Sequence, residues 1–297
     1  MVSNNKVEQV VLHTIFILLC IIAAAPFLLL ISSSITEEST LLQYGYSFFP
    51  KKVSFYAYEY LFQSGGKIIR GLGLSVLVTI VGTACSILMT VMFAYPISRK
   101  ELPHRNLFSF LVFFTMLFNG GLVPTYINYT TVFHVKDTFF GLLVPSLMMS
   151  AFNVLLMKSY FVTGVPDEIL EAAYIDGANE FQTMWKIAIP LSKPIITTVA
   201  MFSGIAYWND WNNGYIYLTK RTDLYSIQNL LNRLMQNIQA LTQNANNMAQ
   251  AGEGLSQIPS GTVRMAMAAL GILPIMIIYP FIQKNFVKGI TLGGVKG

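Results

Sequence analysis

The chain has 297 residues, of which 54% are hydrophobic and 11% are charged, with a formal net charge of +5. A soluble globular domain carries about 25% charged residues, so this composition indicates an integral membrane protein instead. The basic residues lie beside apolar stretches, which argues against a nucleic-acid-binding surface. Cys20 and Cys85 lie inside apolar runs and support neither a disulfide framework nor a metal site.

Six apolar stretches are long enough to cross a bilayer, because about 20 helical residues span about 30 Å of hydrocarbon. They predict an all-α membrane protein with six transmembrane helices at about residues 10–33, 72–95, 107–124, 139–161, 194–218 and 263–282. The first stretch exceeds the roughly 7–15 apolar residues of a cleaved signal peptide, so we expect an uncleaved helix. Asn119-Gly120-Gly121 interrupts the third stretch, and Pro145 and Asn153 lie inside the fourth.

The loop between the first two predicted helices is rich in tyrosine and phenylalanine. Such rings suit the membrane–water boundary. A small folded cap that packs on itself is an equally good interpretation.

An even number of spans places both termini on the same side of the membrane. The short turn at residues 98–105 carries three basic side chains, whereas the opposite side spreads its charges over longer loops. Short basic loops favour the cytoplasm, so we expect both termini and residues 163–193 to be cytoplasmic. Residues 219–262 are then expected to form an external loop.

The predicted cytoplasmic segment contains signals for two short helices. Pro166 suits a first helical position, and acidic residues in the following turn complement the helix dipole. Gly177 is placed to end the first helix, and Asn179 can cap the second. A hairpin that rests on lipid would usually present Lys and Arg to the headgroups, but this one begins with acidic residues. The pattern therefore favours a protein partner with basic groups.

The same segment carries three ordered sequence blocks. These are Glu171-Ala172-Ala173, Asp176-Gly177-Ala178 and Trp185-Lys186-Ile187, followed by Ile189-Pro190. Together they resemble the EAA loop of binding-protein-dependent ABC importer permeases. Four more segments are similar to the smaller permease subunit of carbohydrate importers for maltose, alginate and oligo- or polysaccharides: Phe48-Phe49-Pro50, residues 119–124, Trp208-Asn209-Asp210-Trp211 and the glycine-rich ending.

The resemblance implies a transport subunit of a bacterial cell membrane rather than an enzyme. It implies pairing with a second homologous permease subunit, two copies of a cytoplasmic ABC ATPase that bind ATP and Mg, and an extracytoplasmic solute-binding protein that delivers the sugar. The chain itself has no phosphate-binding loop, so we expect no cofactor in it. By the resemblance, the residues that couple to the ATPase are Glu171, Ala172, Ala173, Asp176, Gly177 and Ala178.

A polar and aromatic cluster lies in the fifth predicted span. Its members are Trp208, Asn209, Asp210, Trp211, Asn212 and Asn213. Polar groups in a membrane usually face the bundle interior or a water-filled cavity, and sugars offer hydroxyls to amides and apolar ring faces to tryptophan. The cluster, with Asn212 excepted, is therefore a candidate lining of the substrate pathway. A boundary belt or helix–helix hydrogen bonding is the alternative, and the more common role of such residues.

Residues 223–250 show leucine and isoleucine at helical spacing among many Asn and Gln residues. They predict an amphipathic external helix, and low-complexity disorder is the alternative. In the family that the chain resembles, this loop faces the binding protein, so we expect docking there.

Two other classes of function fit the sequence less well. A stand-alone secondary transporter would show internal repeats and buried ionisable residues along its pathway, and neither is evident. A membrane-embedded enzyme would need a cluster of His, Asp and Glu, whereas the histidines His13, His104 and His134 are scattered. The sequence therefore favours the permease interpretation.

Overall fold

The computed structural model describes residues 6–63, 66–250 and 261–293. Within these ranges the secondary structure is helical apart from one isolated bridge between Thr36 and Val53. The predicted all-α class is confirmed for this part of the chain. Its α-helices are α1 (Lys6–Ser34), α2 (Glu38–Tyr44), α3 (Tyr56–Phe62), α4 (Lys67–Ser98), α5 (Arg105–Leu117), α6 (Leu122–Ile127), α7 (Phe140–Leu143), α8 (Ala151–Gly164), α9 (Asp167–Ile175), α10 (Glu180–Thr183), α11 (Ile189–Leu191), α12 (Lys193–Asn209), α13 (Asn212–Tyr217), α14 (Ile227–Gln250) and α15 (Gly261–Gly293).

Two described helices, α1 and α4, are each long and apolar enough to cross a membrane. Two bent pairs add further candidates: α5 with residues 122–132, bent by 116°, and residues 180–191 with α12, bent by 82°. Residues Gly261–Ile277 of α15 form a shorter apolar stretch. The described residues thus contain up to four spans by length and composition, and the count of six stays a prediction.

Three of the expected spans contain breaks in the helix. The third breaks after α5, where Phe118 is extended and Gly121 has a φ of +87°. The fourth breaks between α7 and α8, where Pro145 has no N–H to donate and Ser146 has a φ of +62°. The fifth breaks at Asp210, whose backbone is extended after α12. The break in the third span confirms the interruption predicted at Asn119-Gly120-Gly121. In the fourth and fifth spans, local backbone chemistry overrides the apolar composition that predicted a membrane-spanning helix.

The chain divides into two compact units. The first consists of Met1–Ile68 and Leu231–Pro274. Within it, the Glu38 carboxylate accepts hydrogen bonds from the backbone N–H groups of Gly261 and Thr262, at 2.9 and 2.8 Å. An acidic acceptor at a helix N-terminus satisfies free N–H groups and complements the helix dipole, so Glu38 fixes the start of α15. Most of the predicted external helix is present as α14, while residues 251–260 of that loop and residues 294–297 of the tail lie outside the described residues.

The second unit consists of Ile69–Leu230 and Ile275–Gly297. One of its buried clusters joins α4, α8, α9 and α12, together with the π-helix at Met184–Ala188 that follows α10. Its members include Ala94, Tyr95, Val154, Met157, Leu170, Met184, Ala188, Ile195 and Val199. Because the short helix α9 contributes Leu170 to this shared core, its position is tied to the longer helices around it.

Helices α4 and α12 approach each other closely at Gly82. A Cβ atom there would lie 2.6 Å from the ring of Tyr207, which is closer than van der Waals contact permits. The Tyr207 hydroxyl donates to the carbonyl of Leu143 at 2.8 Å. Small residues at such crossings allow membrane helices to pack tightly, so Gly82 creates the space that the tyrosine fills.

Candidate functional site

The turn between α9 and α10 has the geometry that the sequence predicts. Gly177 adopts a φ of +82°, a conformation that favours glycine. Its N–H donates to Tyr174 O at 3.0 Å, and the N–H of Ala178 donates to Ala173 O at 2.9 Å. This pair of hydrogen bonds is a Schellman motif, which ends α9 and satisfies two of its last carbonyls.

The second helix begins with a capping box. Asn179 Oδ1 accepts from the N–H of Gln182 at 2.9 Å, and Gln182 Oε1 accepts from the N–H of Asn179 at 3.2 Å. These reciprocal bonds satisfy N–H groups at the start of α10. We refer to residues 167–183, which comprise α9, the turn and α10, as the Gly177 hairpin.

The hairpin has one buried face and one exposed face. Leu170 and Ala173 are buried. On the exposed face, Ile175 retains 87% of its accessible surface and Phe181 retains 62%. Of the residues predicted to couple to an ATPase, Glu171, Ala172, Asp176 and Gly177 are exposed, Ala178 is half-buried and Ala173 is buried. The exposed face thus combines large apolar side chains with carboxylates.

Some acidic residues of the hairpin are tied to the rest of the second unit. Lys100 Nζ lies 2.7 Å from Asp167 Oδ2, and this hydrogen bond and charge lower the pKa of the Asp167 carboxyl. The Tyr95 hydroxyl donates to Glu180 Oε2 at 3.2 Å. By contrast, neither Glu171 nor Asp176 forms an ion pair with another side chain in the described part of the chain. Both residues are exposed, in contrast to the buried Leu170.

The structure places the predicted pathway residues at the break between α12 and α13. Asp210 Oδ1 accepts from the N–H groups of Asn212 and Asn213 at 3.1 and 3.2 Å, which caps α13. Asn213 is buried, and its Nδ2 donates to Pro145 O at 2.9 Å. Trp208 is also buried, whereas Asn209 and Trp211 are exposed.

The same break is held from the C-terminal side by the segment that enters α14. Asn229 Nδ2 donates to the carbonyl of Trp211 at 3.0 Å, and Ser226 Oγ donates to the carbonyl of Asp210 at 3.4 Å. Much of the polar chemistry of this cluster therefore stabilises an irregular stretch of backbone.

A carboxylate that sequence reasoning missed joins two distant loops. Asp137 Oδ1 accepts from the backbone N–H groups of Thr219, Lys220 and Arg221, at 2.8, 2.7 and 3.2 Å. The hydrogen bond from Lys220, followed by those from Thr219 and Arg221, lowers the pKa of the Asp137 carboxyl. Because its partners are 82 to 84 residues away, no local sequence signal could reveal this interaction. We call it the Asp137 clamp.

Comparison with known proteins identifies the family. Residues 86–292 match the model of the family described as "Binding-protein-dependent transport system inner membrane component". The chain belongs to this family. It is 35% identical to Protein LplC of Bacillus subtilis (strain 168) over 276 residues, which cover 93% of this chain and 90% of that protein.

Two further matches extend over nearly the whole chain. The polygalacturonan/rhamnogalacturonan transport system permease protein YtcP of Bacillus subtilis (strain 168) is 33% identical over 294 residues, covering 99% of this chain and 100% of that protein. A chain in the crystal structure of a bacterial ABC transporter involved in the import of the acidic polysaccharide alginate matches with a TM-score of 0.78 and 27% identity. That match covers 96% of this chain and 99% of the other, so the two share the permease fold.

Proposed function

We propose that this chain is the permease subunit of an ATP-driven importer that translocates a carbohydrate delivered by an extracytoplasmic binding protein. The exposed face of the Gly177 hairpin carries this proposal. The chain belongs to a binding-protein-dependent transport family. The exposed face of its hairpin combines apolar and acidic side chains on a short helix, and the buried side of that helix packs in a core shared with longer helices.

The ATPase is the partner that we propose for this face. Glu171 and Asp176 would meet basic groups of the ATPase, while Ala172 allows close approach and Gly177 permits the turn. Desolvated apolar side chains with complementary charges form a typical energetic centre of a protein interface. Leu170 shares a core with α4, α8 and α12. A displacement of α9 by the ATPase would therefore be transmitted to these helices.

The assembly and its orientation follow from this assignment. We propose two copies of the ATPase, which bind ATP and Mg, and a second, homologous permease beside this chain. Both termini and the Gly177 hairpin would face the cytoplasm, and α14 would face the binding protein. Six spans cross the bilayer in this arrangement, with the broken helices counted as single spans.

A glycan released from a polysaccharide is the substrate class that we propose. YtcP is named for polygalacturonan and rhamnogalacturonan and the importer of known structure for the acidic polysaccharide alginate, and relatives that are 26–27% identical are named for arabinooligosaccharides. Among the predicted pathway residues, the exposed Asn209 and Trp211 are available to contact such a sugar. We propose that Trp208, Asp210 and Asn213 support them by holding the helix break in place.

Reconstitution of the complete importer tests this function. The chain would be co-expressed with the permease, ATPase and binding protein encoded beside it, purified and inserted into liposomes. We expect the ATPase to co-purify and labelled pectin or arabinan oligosaccharides to enter only with ATP and the binding protein. Uptake by this chain alone, driven by a proton gradient without ATP, would instead establish a secondary transporter.

A further inference from the structure

A cavity of about 310 Å³ opens between α8 and α12, apart from the cluster at residues 208–213. Its lining includes four polar side chains and two phenylalanine rings. These are Ser146, Ser150, Asn153, Ser203, Phe152 and Phe202. Sequence reasoning noted Asn153 within the fourth span but gave it no partner.

Two of these polar side chains, Asn153 and Ser203, are almost completely buried, whereas Ser150 is half-buried and Ser146 is exposed. Asn153 retains 6% of its accessible surface and Ser203 retains 4%. Asn153 Nδ2 donates to Ser203 Oγ at 3.4 Å, and Ser203 Oγ lies 3.1 Å from Ser86 Oγ of α4. A serine hydroxyl has one donor and two acceptor positions, and an amide has two of each, so these groups keep capacity for a ligand. Polar groups placed this deeply in a membrane protein typically face a cavity or a transport path.

The aromatic part complements this chemistry. The rings of Phe152 and Phe202 lie 6.2 Å apart, centroid to centroid, with an interplanar angle of 48°. Both remain partly exposed, at 52% and 37%. No charged side chain lines the cavity among the described residues. Amide and hydroxyl groups beside apolar rings fit a neutral, hydroxyl-bearing ring, whereas a carboxylate would enter without a cation to offset its desolvation.

The helices that line the cavity are the two that flank the Gly177 hairpin. α8 ends shortly before α9 begins, and a π-helix at Met184–Ala188 followed by α11 connects α10 to α12. Val154 and Met157 of α8 pack in the same core as Leu170 of α9 and Val199 of α12. A movement of the hairpin would therefore change the spacing of the two cavity walls.

From this arrangement we infer that the cavity between α8 and α12 is a sugar subsite of the translocation path, which binds the neutral, hydroxyl-bearing part of the transported glycan. Asn153 and Ser203 hydrogen bond to ring hydroxyls, and Phe152 and Phe202 contact the apolar ring face. This inference rests on the proposed carbohydrate importer and adds a site to it. It predicts that the two helices moved by the hairpin also hold the solute.

The test compares three single variants in the complete, reconstituted importer. Asn153→Leu removes the amide at similar volume, Phe202→Ala removes a ring that is partly exposed, and Ser159→Ala changes an exposed position of α8 outside the cavity. The probe is a pectinase digest of pectin, which contains neutral and uronate oligosaccharides that mass spectrometry resolves after uptake. ATPase activity stimulated by the binding protein is measured in parallel.

We expect Asn153→Leu and Phe202→Ala to lower uptake of neutral oligosaccharides roughly tenfold, the effect of losing one good contact. Stimulated ATPase activity should persist, which excludes a defect in folding or assembly, and Ser159→Ala should behave like the parent importer. If Asn153→Leu fails to assemble, uptake by Phe202→Ala decides whether the cavity is a sugar subsite. Unchanged uptake and selectivity in Phe202→Ala would overturn the subsite while the importer stands. Failure of the parent importer to take up any carbohydrate with ATP would overturn the proposed function, and the subsite with it.

Discussion

The Gly177 hairpin and the helix break at residues 210–213 are both rich in polar residues, but they use them in opposite ways. At the break, the carboxylate of Asp210 and the amide of Asn213 are bound to backbone groups of the chain itself. In the hairpin, Glu171 and Asp176 remain exposed beside apolar side chains such as Ile175. Polar residues that a chain satisfies internally support its own fold, whereas those left outward on an ordered helix are available to a partner.

Reversal of a charge on the hairpin should give the largest effect. In Glu171→Lys, a cation would face the basic groups that we propose on the ATPase, and like charges at an interface are strongly unfavourable. We expect ATP-dependent uptake to fall at least roughly tenfold, which corresponds to about 1.4 kcal/mol, and less ATPase to co-purify. Glu59→Lys, which makes the same change at an exposed position of α3, is the matched control. Full uptake with Glu171→Lys would contradict the proposal that the exposed carboxylates of the hairpin contact the ATPase.

Substitutions at Gly177 can show whether transport requires the backbone conformation of this turn. A Cβ atom there would meet nothing within 4 Å, yet the φ of +82° is unfavourable for a branched side chain. Gly177→Val should cost about 1–3 kcal/mol of local strain, whereas Asn tolerates this region better. We expect roughly tenfold lower uptake for Val and nearly normal uptake for Asn, at equal amounts of protein in the membrane. Normal uptake by both the Val and the Asn variant would show that transport does not need this backbone geometry.

The crossing of α4 and α12 should respond to side-chain volume more than to position in the helix. Gly82→Val would push into the ring of Tyr207, whereas a Cβ at Gly73 of the same helix would meet nothing within 4 Å. Overpacking costs about 1–3 kcal/mol, so Gly82→Val should lower the thermal unfolding temperature of the purified protein well below that of Gly73→Val. Similar unfolding temperatures for the two variants would argue against the close contact.

The Asp137 clamp should contribute to stability and little to transport. The folded state lowers the pKa of this carboxyl, so the stabilisation is complete above the ordinary Asp pKa of about 3.9 and is lost as the pH falls further. Asp137→Asn should therefore unfold at a lower temperature than the parent at pH 7, with the difference shrinking below about pH 4. Asp223→Asn is the control, because an exposed ion pair such as Asp223–Arg221 contributes little. A difference that grows as the pH falls would contradict the clamp.

The sequence predicts the helix signals of the hairpin well because they are local. Gly177 and Asn179 act on backbone groups within a few residues, and both have their expected roles in the structure. Pro166 also lies at the start of α9, but as the extended residue before the helix and not at its first helical position. The interruption of the third span was also foreseen at Asn119-Gly120-Gly121. The break at Asp210 was not, because its stabilising bonds come partly from the carbonyl of Pro145 and from α14.

Contacts between residues that are distant in the sequence could not be predicted from it. The Asp137 clamp, the Asn153–Ser203 contact and the fit of Tyr207 against Gly82 all bring together groups from separate helices or loops. The pattern of a single sequence indicates periodicity and local helix caps, but it does not indicate which distant residues come into contact. The exposed or internal role of each polar residue at the 210–213 break could therefore be assigned only once the fold was known.

Photo-cross-linking of the assembled importer tests the central claim most directly. Benzoylphenylalanine would replace Ile175 on the hairpin in one variant, and Tyr215, exposed beside Trp211, in another. After irradiation, we predict that the variant at Ile175 forms an adduct with the ATPase and that the variant at Tyr215 does not. An importer that transports normally, yet yields the ATPase adduct from Tyr215 and none from Ile175, would contradict the account.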